Sequence, residues 1–276
     1  MTAIRNLVLA IALLLPLHSI AQVTIAPTNL FIDSQSKFGT YMVINNSNTP
    51  QEVSIDFFFG YSQTDENGNR TTVEDTSNVA AEHSIAKEIR AFPRNFVLSP
   101  NQRQIVRLRI TPPNTLSDGV YWSRIKTSST PQSPPIELSN DQSVTAQVGI
   151  VINQVTGLFY KNGDVSTGIE VEEIRTEISD EDILAVLTDY NRTGNAPFLG
   201  TISVNLKDQN GKAVQSGFIS TSLYFDGTQR QELNIEGVPS GEYTLEVRFE
   251  SQRNDVSSRD IVQMEPVTAT TTVTIP

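Results

Sequence analysis

Runs of Val, Ile, Thr and aromatic residues recur along the whole chain, separated by short clusters of turn-forming residues. In Arg103 to Ile110, Val106, Leu108 and Ile110 share one face while Arg103, Arg107 and Arg109 take the other. That period of two is the mark of a strand with one buried face. Similar strands are predicted at 23–32, 38–45, 53–61, 104–111, 120–127 and 144–155, then at 183–190, 199–206, 222–225, 242–249 and 267–275. Turn clusters such as Asn45 to Pro50, Pro112-Pro113-Asn114, Asp208 to Gly211 and Pro239-Ser240-Gly241 punctuate them. No long stretch has the 3.6-residue period of a helix. Many short strands at this spacing predict an all-β chain of immunoglobulin-like β-sandwiches.

The first residues break this pattern. Arg5 precedes an apolar run from Leu7 to Leu17, and Ser19 and Ala21 supply small residues at a cleavage site. Charged start, short apolar core and small-x-small site predict a signal peptide over residues 1–21, hence export. No later apolar run is long enough for a membrane anchor. The remaining 255 residues suit two domains. A turn-forming run, Lys161-Asn162-Gly163-Asp164, predicts the boundary: a first domain at 22–163 and a second at 164–276. Charge divides there too. The first part holds 11 basic and 12 acidic residues, the second 8 and 19. The acidic half reads as a solubilising surface.

Composition removes most chemistry. The 276 residues carry a formal charge of −11, which argues against nucleic acid as a partner. With no Cys there is no disulfide framework, thiolate nucleophile or zinc finger. Beyond the signal segment only His83 remains, too few for a histidine metal site or a Ser–His–Asp triad, and it reads as an exposed loop residue. Asp65 to Asn69 opens like a calcium loop. Arg70 and Thr76 stand where glycine and a bidentate Glu are required, so the segment reads as a flexible hairpin tip. Glu170, Glu172 and Glu173, and Asp180 to Asp182, read as solvated turns beside strands. Asn45, Asn69 and Asn191 open glycosylation sequons, from which nothing is drawn. No phosphate loop, dinucleotide motif or nucleophile elbow occurs, so neither an enzyme nor a cofactor is expected.

The informative stretch is Phe92 to Ile110. An extended apolar segment, Phe96-Val97-Leu98, runs into Ser99-Pro100-Asn101-Gln102 and then into the Arg103–Ile110 strand. This resembles the N-terminal domain of the PapD-like periplasmic pilus-assembly chaperones, whose pattern is a bulky pair, Leu-x-Pro-Gly, Gln, then an Arg between apolar residues. Asn101 replaces the glycine, as suits a position needing positive φ; Arg107 takes the place of the strand arginine. Val23 to Ile32 is similar to the family's first strand and Tyr41 to Ser47 to its second. Asp118 to Ile125 is similar to a Gly-x-Tyr strand. A polar loop from Ser128 to Ser143 then precedes a long strand closing on Leu158-Phe159-Tyr160. The likeness covers roughly Val23 to Tyr160.

The resemblance implies a role. Pilin subunits of that system are sandwiches missing their last strand, and the chaperone lends one of its own edgewise. Counting back from Leu158-Phe159-Tyr160 puts the donor side chains at Val148, Ile150 and Ile152; the alternative is that these three pack into the domain's own core. The family also holds the client's terminal carboxylate with two basic residues. Asn29 and Gly157 stand at those positions, which leaves Lys37, Lys161, Arg107 or Arg109 as substitutes, for carboxylate or interdomain contacts. The expected partners are pilin-like or other envelope subunits, and the expected location is the periplasm. A second reading stays open, a secreted surface or envelope scaffold with a chaperone-like first domain.

Overall fold

A computed structural model describes residues 23–75, 77–132, 150–179 and 182–276. The signal segment lies outside them. Two β-sandwiches follow one another. The first has one sheet of β1 (Val23–Ala26), β3 (Phe38–Asn45), β9 (Arg103–Ile110) and β7 (Ile89–Phe92), in that spatial order. Its second sheet runs β2 (Asn29–Asp33), β11 (Ile152–Asn162), β10 (Gly119–Pro131), β4 (Gln51–Phe58) and β8 (Asn95–Leu98). The second sandwich sets β12 (Thr167–Ile178), β13 (Ile183–Gly194) and β16 (Gly227–Asn234) against β15 (Ala213–Leu223), β14 (Phe198–Lys207), β17 (Gly241–Glu250) and β18 (Val267–Ile275). The predicted all-β sandwich architecture is what the chain adopts.

Alternation sets the cores. Val106, Leu108 and Ile110 of β9 are buried with Tyr41, Val43, Ile55, Ile125, Leu158 and Tyr160. In the second sandwich Leu245, Val247 and Phe249 meet Leu184, Val186, Phe198, Ile202 and Val204. Each such side chain contributes roughly 1.5–3 kcal/mol on burial. One local prediction holds in detail. Asn101 has φ 58°, the positive value that its glycine-like position requires. Asn45 is fully buried and fully bonded: its Nδ2 donates to the carbonyls of Thr49 and Leu98, and its Oδ1 accepts from the Ser47 amide and hydroxyl. That burial removes it as a glycan acceptor.

Several expectations are corrected. Strand β16 went unpredicted because Thr228-Gln229-Arg230-Gln231-Glu232 is polar. Pairing with β13 buries Thr228, Gln229 and Leu233 all the same. Glu170, Glu172 and Glu173 are not in a turn; they project to solvent from β12. A short helix, α1 (Asn78–His83), occupies a stretch without helical periodicity. The hairpin of β5 (Gly60–Thr64) and β6 (Arg70–Glu74) does not end in a free tip. Asp65 Oδ1 accepts the amides of Asn67 and Asn69, which shapes the turn. Its carboxyl is held below its usual range chiefly by the Asn69 side-chain amide, which donates to Oδ2 at 3.0 Å, and then by the Asn69 backbone amide. The turn rests on the second sandwich, where Arg175 donates to the Glu66 carbonyl at 3.0 Å and Gly68 packs against Arg230. Gly68 has φ +74°, and a Cβ there would lie 2.4 Å from Arg230 Cβ.

Candidate functional site

Strand β11 is positioned on one side by β10 along its whole length, from Gly119↔Asn162 to Ser129↔Ile152. On the other side β2 runs parallel to it only from Gly157 to Lys161. The chain before β2 crosses to the other sheet, where β1 pairs with β3. Among the described strands, none pairs the edge of β11 from Ile152 to Thr156. Among the described residues a side-chain hydrogen bond crosses that gap, Gln154 Nε2 donating to the Val23 carbonyl at 2.7 Å. Ile152, Gln154 and Thr156 turn inward; Asn153 and Val155 turn outward. Ile150, Val151 and Val155 are 65%, 58% and 53% exposed. An open strand edge with bare apolar side chains beside it is a template for another chain. Of the predicted donor residues, Ile152 opens β11 and is half-buried on its inward face, and Ile150 precedes the strand and is exposed. Val148 lies outside the described residues.

Lower on the same sheet, the outward row Asn29, Gly157, Arg124 crosses β2, β11 and β10. Asn29 and Gly157 are thus direct neighbours. A Cβ on Gly157 would lie 2.6 Å from Asn29 Oδ1, so the asparagine fills the space a side chain would need. It would also lie 3.6 Å from Nη1 of Arg124, so a guanidinium stands beside the pair. The guanidinium is held by Nε donating to the Gly60 carbonyl at 3.0 Å, by Nη2 donating to the Tyr224 hydroxyl at 3.0 Å, and by the Tyr224 ring beneath it at 5.4 Å. It has no carboxylate partner among the described residues. Sequence reasoning missed Arg124 because its support, Tyr224, lies 100 residues away. The available signal was its place two residues after Trp122 on the same outward face.

The next row is aromatic. Phe31 stacks on Phe159 with centroids 5.2 Å apart, and Tyr224 stands between Phe159 at 6.4 Å and Trp122 at 5.0 Å. Together with Phe59, Tyr61, Leu199 and Ile261, these rings fill the space between the sandwiches. His83 belongs here and not to an exposed loop. It ends α1, stacks on Trp122 at 4.9 Å, and its pKa is lowered chiefly by burial. Lys161 stands elsewhere, beside a cavity of about 360 Å³ lined also by Asp33, Phe31, Phe159 and Arg259. Asp33 is held below its usual carboxylate range mainly by the Ser36 amide, with Lys161 a minor contributor. Lys37 has φ 54° in the turn before β3. Arg107 and Arg109 lie on the outer face of the first sheet, away from β11 and Arg124. The structure does not bring them together with Lys161.

No family model matches the chain by sequence, and no curated protein does. Among solved structures, the chain is similar to the YadV chaperone at 12% identity and a TM-score of 0.45, covering 91% of this chain and all of that one. It is similar to a chain of the Salmonella enterica SafA pilin–SafB chaperone complex at 16% identity and a TM-score of 0.40, covering 91% and 97%. A chain of the CsuC–CsuE chaperone–tip adhesion subunit complex of Acinetobacter baumannii matches at 12% identity and a TM-score of 0.41, covering 90% and 98%.

Proposed function

We propose that this chain is an exported, periplasmic, chaperone-like protein that lends the open edge of β11 to a strand-deficient β-sandwich subunit during pilus or cell-envelope assembly. Its domains are then 22–163 and 164–276, behind a signal peptide at 1–21. The observation that carries this reading is the half-open strand: among the described residues, β11 is paired on both sides from Gly157 to Lys161 and on one side only from Ile152 to Thr156. The ordered motifs from Val23 to Tyr160 support it.

In this role backbone ladder bonds give affinity, and Val148, Ile150 and Ile152, at i, i+2 and i+4, fill the client's groove. Each adds roughly 1.5–3 kcal/mol on full burial, enough together to offset part of the entropy of association. Arg124 takes the client's terminal carboxylate. Its Nη1 is nearest the Asn29–Gly157 pair, and its other nitrogens are tied down, so the fork is already oriented.

The test compares Ile150→Asp with the parent chain, by melting curve and by capture of a β-sandwich subunit from periplasmic extract, quantified by mass spectrometry. Ile150 is 65% exposed, so the melting curve should be unchanged while capture is lost. A collapsed curve, or capture retained, overturns the donor role. Arg124→Gln should weaken capture by about 1.5–3 kcal/mol, the worth of a charged hydrogen bond. Arg107→Gln should leave it intact.

A further inference from the structure

The outer face of the first sheet carries an unusual set of side chains. Register places Phe38, Arg109 and Arg90 in one row across β3, β9 and β7, and Thr40, Arg107 and Phe92 in the next. Ala26, Met42 and Ile105 form the third row, and Thr24, Ile44 and Arg103 the fourth. Four arginines thus share a face with no acidic residue in it. None of the four has a carboxylate partner among the described residues. Between them Phe38, Phe92 and Ile105 are 61%, 62% and 55% exposed. This occurs in a chain whose formal charge is −11.

Such a face is costly to leave bare. Like charges repel along β9, and large apolar side chains stay in water. We infer that the β3–β9–β7 face is a docking surface for a short acidic segment of a partner protein, one in which Asp or Glu alternates with apolar residues. Charge complementarity selects the acid: planar guanidinium groups pair bidentately with carboxylates. Area selects the length. The face measures about 20 Å along β9 and about 14 Å across four strands, roughly 300 Å². That is well short of the ~800 Å² a folded partner needs on each side, but it suits an extended segment. A membrane surface is the less favoured occupant, because Phe38 lies against the Arg109 guanidinium, 5.9 Å from its ring centroid, instead of standing clear of the charged row. The surface lies on the opposite sheet from β11, so it stands or falls independently of the strand-lending role.

The test uses the full chain and a displayed library of random octapeptides. The parent chain should enrich peptides alternating acidic and apolar residues, and an Arg107→Glu/Arg109→Glu variant should not. The best peptide, made synthetically with blocked ends, should lose at least about tenfold in affinity with Arg107→Gln. It should lose about as much again as salt rises from about 0.05 to about 0.5 M. Lys126→Glu, on the other sheet, should change nothing. The proposal is overturned by enrichment without acidic residues, or by equal loss with Lys126→Glu. It is equally overturned if phosphatidylglycerol vesicles bind the chain while the peptides do not. Self-association abolished by Arg107→Glu, seen by sedimentation, would assign the face to a second copy instead.

Discussion

Strand β11 lies against β10 throughout, yet its two halves occupy different surroundings. From Leu158 to Tyr160 the side chains are 0–3% exposed on both faces, because β2 closes the edge, the first core lies below and the interdomain rings lie above. A few residues earlier Ile150, Val151 and Val155 are as apolar and more than half exposed. The difference lies in the neighbours: β1 has left for the other sheet, and with it goes the cover. One strand can thus be both a structural element and a surface, with Gly157 as the joint between the two.

This contrast can be broken most severely in the closed half. Leu158→Asp places an unpaired carboxylate in a core position of zero exposure. Its cost of several kcal/mol is a large part of the ~5–15 kcal/mol that holds a domain together. The first domain's melting transition should be lost in calorimetry, where Ile150→Asp leaves it intact. Next comes the joint. Gly157→Ala brings a methyl to 2.6 Å from Asn29 Oδ1 and should cost about 1–3 kcal/mol by overpacking. The double variant with Asn29→Gly should recover most of that loss in a thermal denaturation cycle. The smallest effect belongs to the open half. Gln154→Ala removes the bond that bridges the gap to Val23 and should cost about 0.5–1.5 kcal/mol in urea unfolding. It should raise amide exchange at Ile152 to Thr156 without touching Leu158 to Tyr160.

What the sequence made legible follows the same division. Alternation along β9 and β17 identified the buried faces, and Asn101 announced its positive φ. Period-two patterning separates two faces, but it does not say which outward face meets solvent and which meets a second domain. Trp122, Arg124 and Phe159 are all outward on their own sheet; Trp122 and Phe159 are buried by rings from beyond residue 190. His83 and the Asp65 turn were misread for the same reason, since the groups that cover them, Phe225 and Arg230, come from the second sandwich. Strand β16 was invisible because its pairing partners, not its composition, make it a strand.

The β5–β6 hairpin has a mechanical consequence. Arg70 reaches Thr221 at 2.7 Å, the Thr64 hydroxyl accepts the Thr228 amide, and Arg175 grips the Glu66 carbonyl, so the hairpin works as a brace riveted at several points. Bolted between two beads, a brace turns a string into a bracket. The angle at which the second sandwich stands against the sheet that carries Arg124 and the open edge of β11 is then cast during folding and is not found at each encounter. A visitor meets a fixed jaw, which spares it the loss of freedom that closing a loose one would demand. Cutting the rivets should leave each sandwich as stable as before while making the jaw slack.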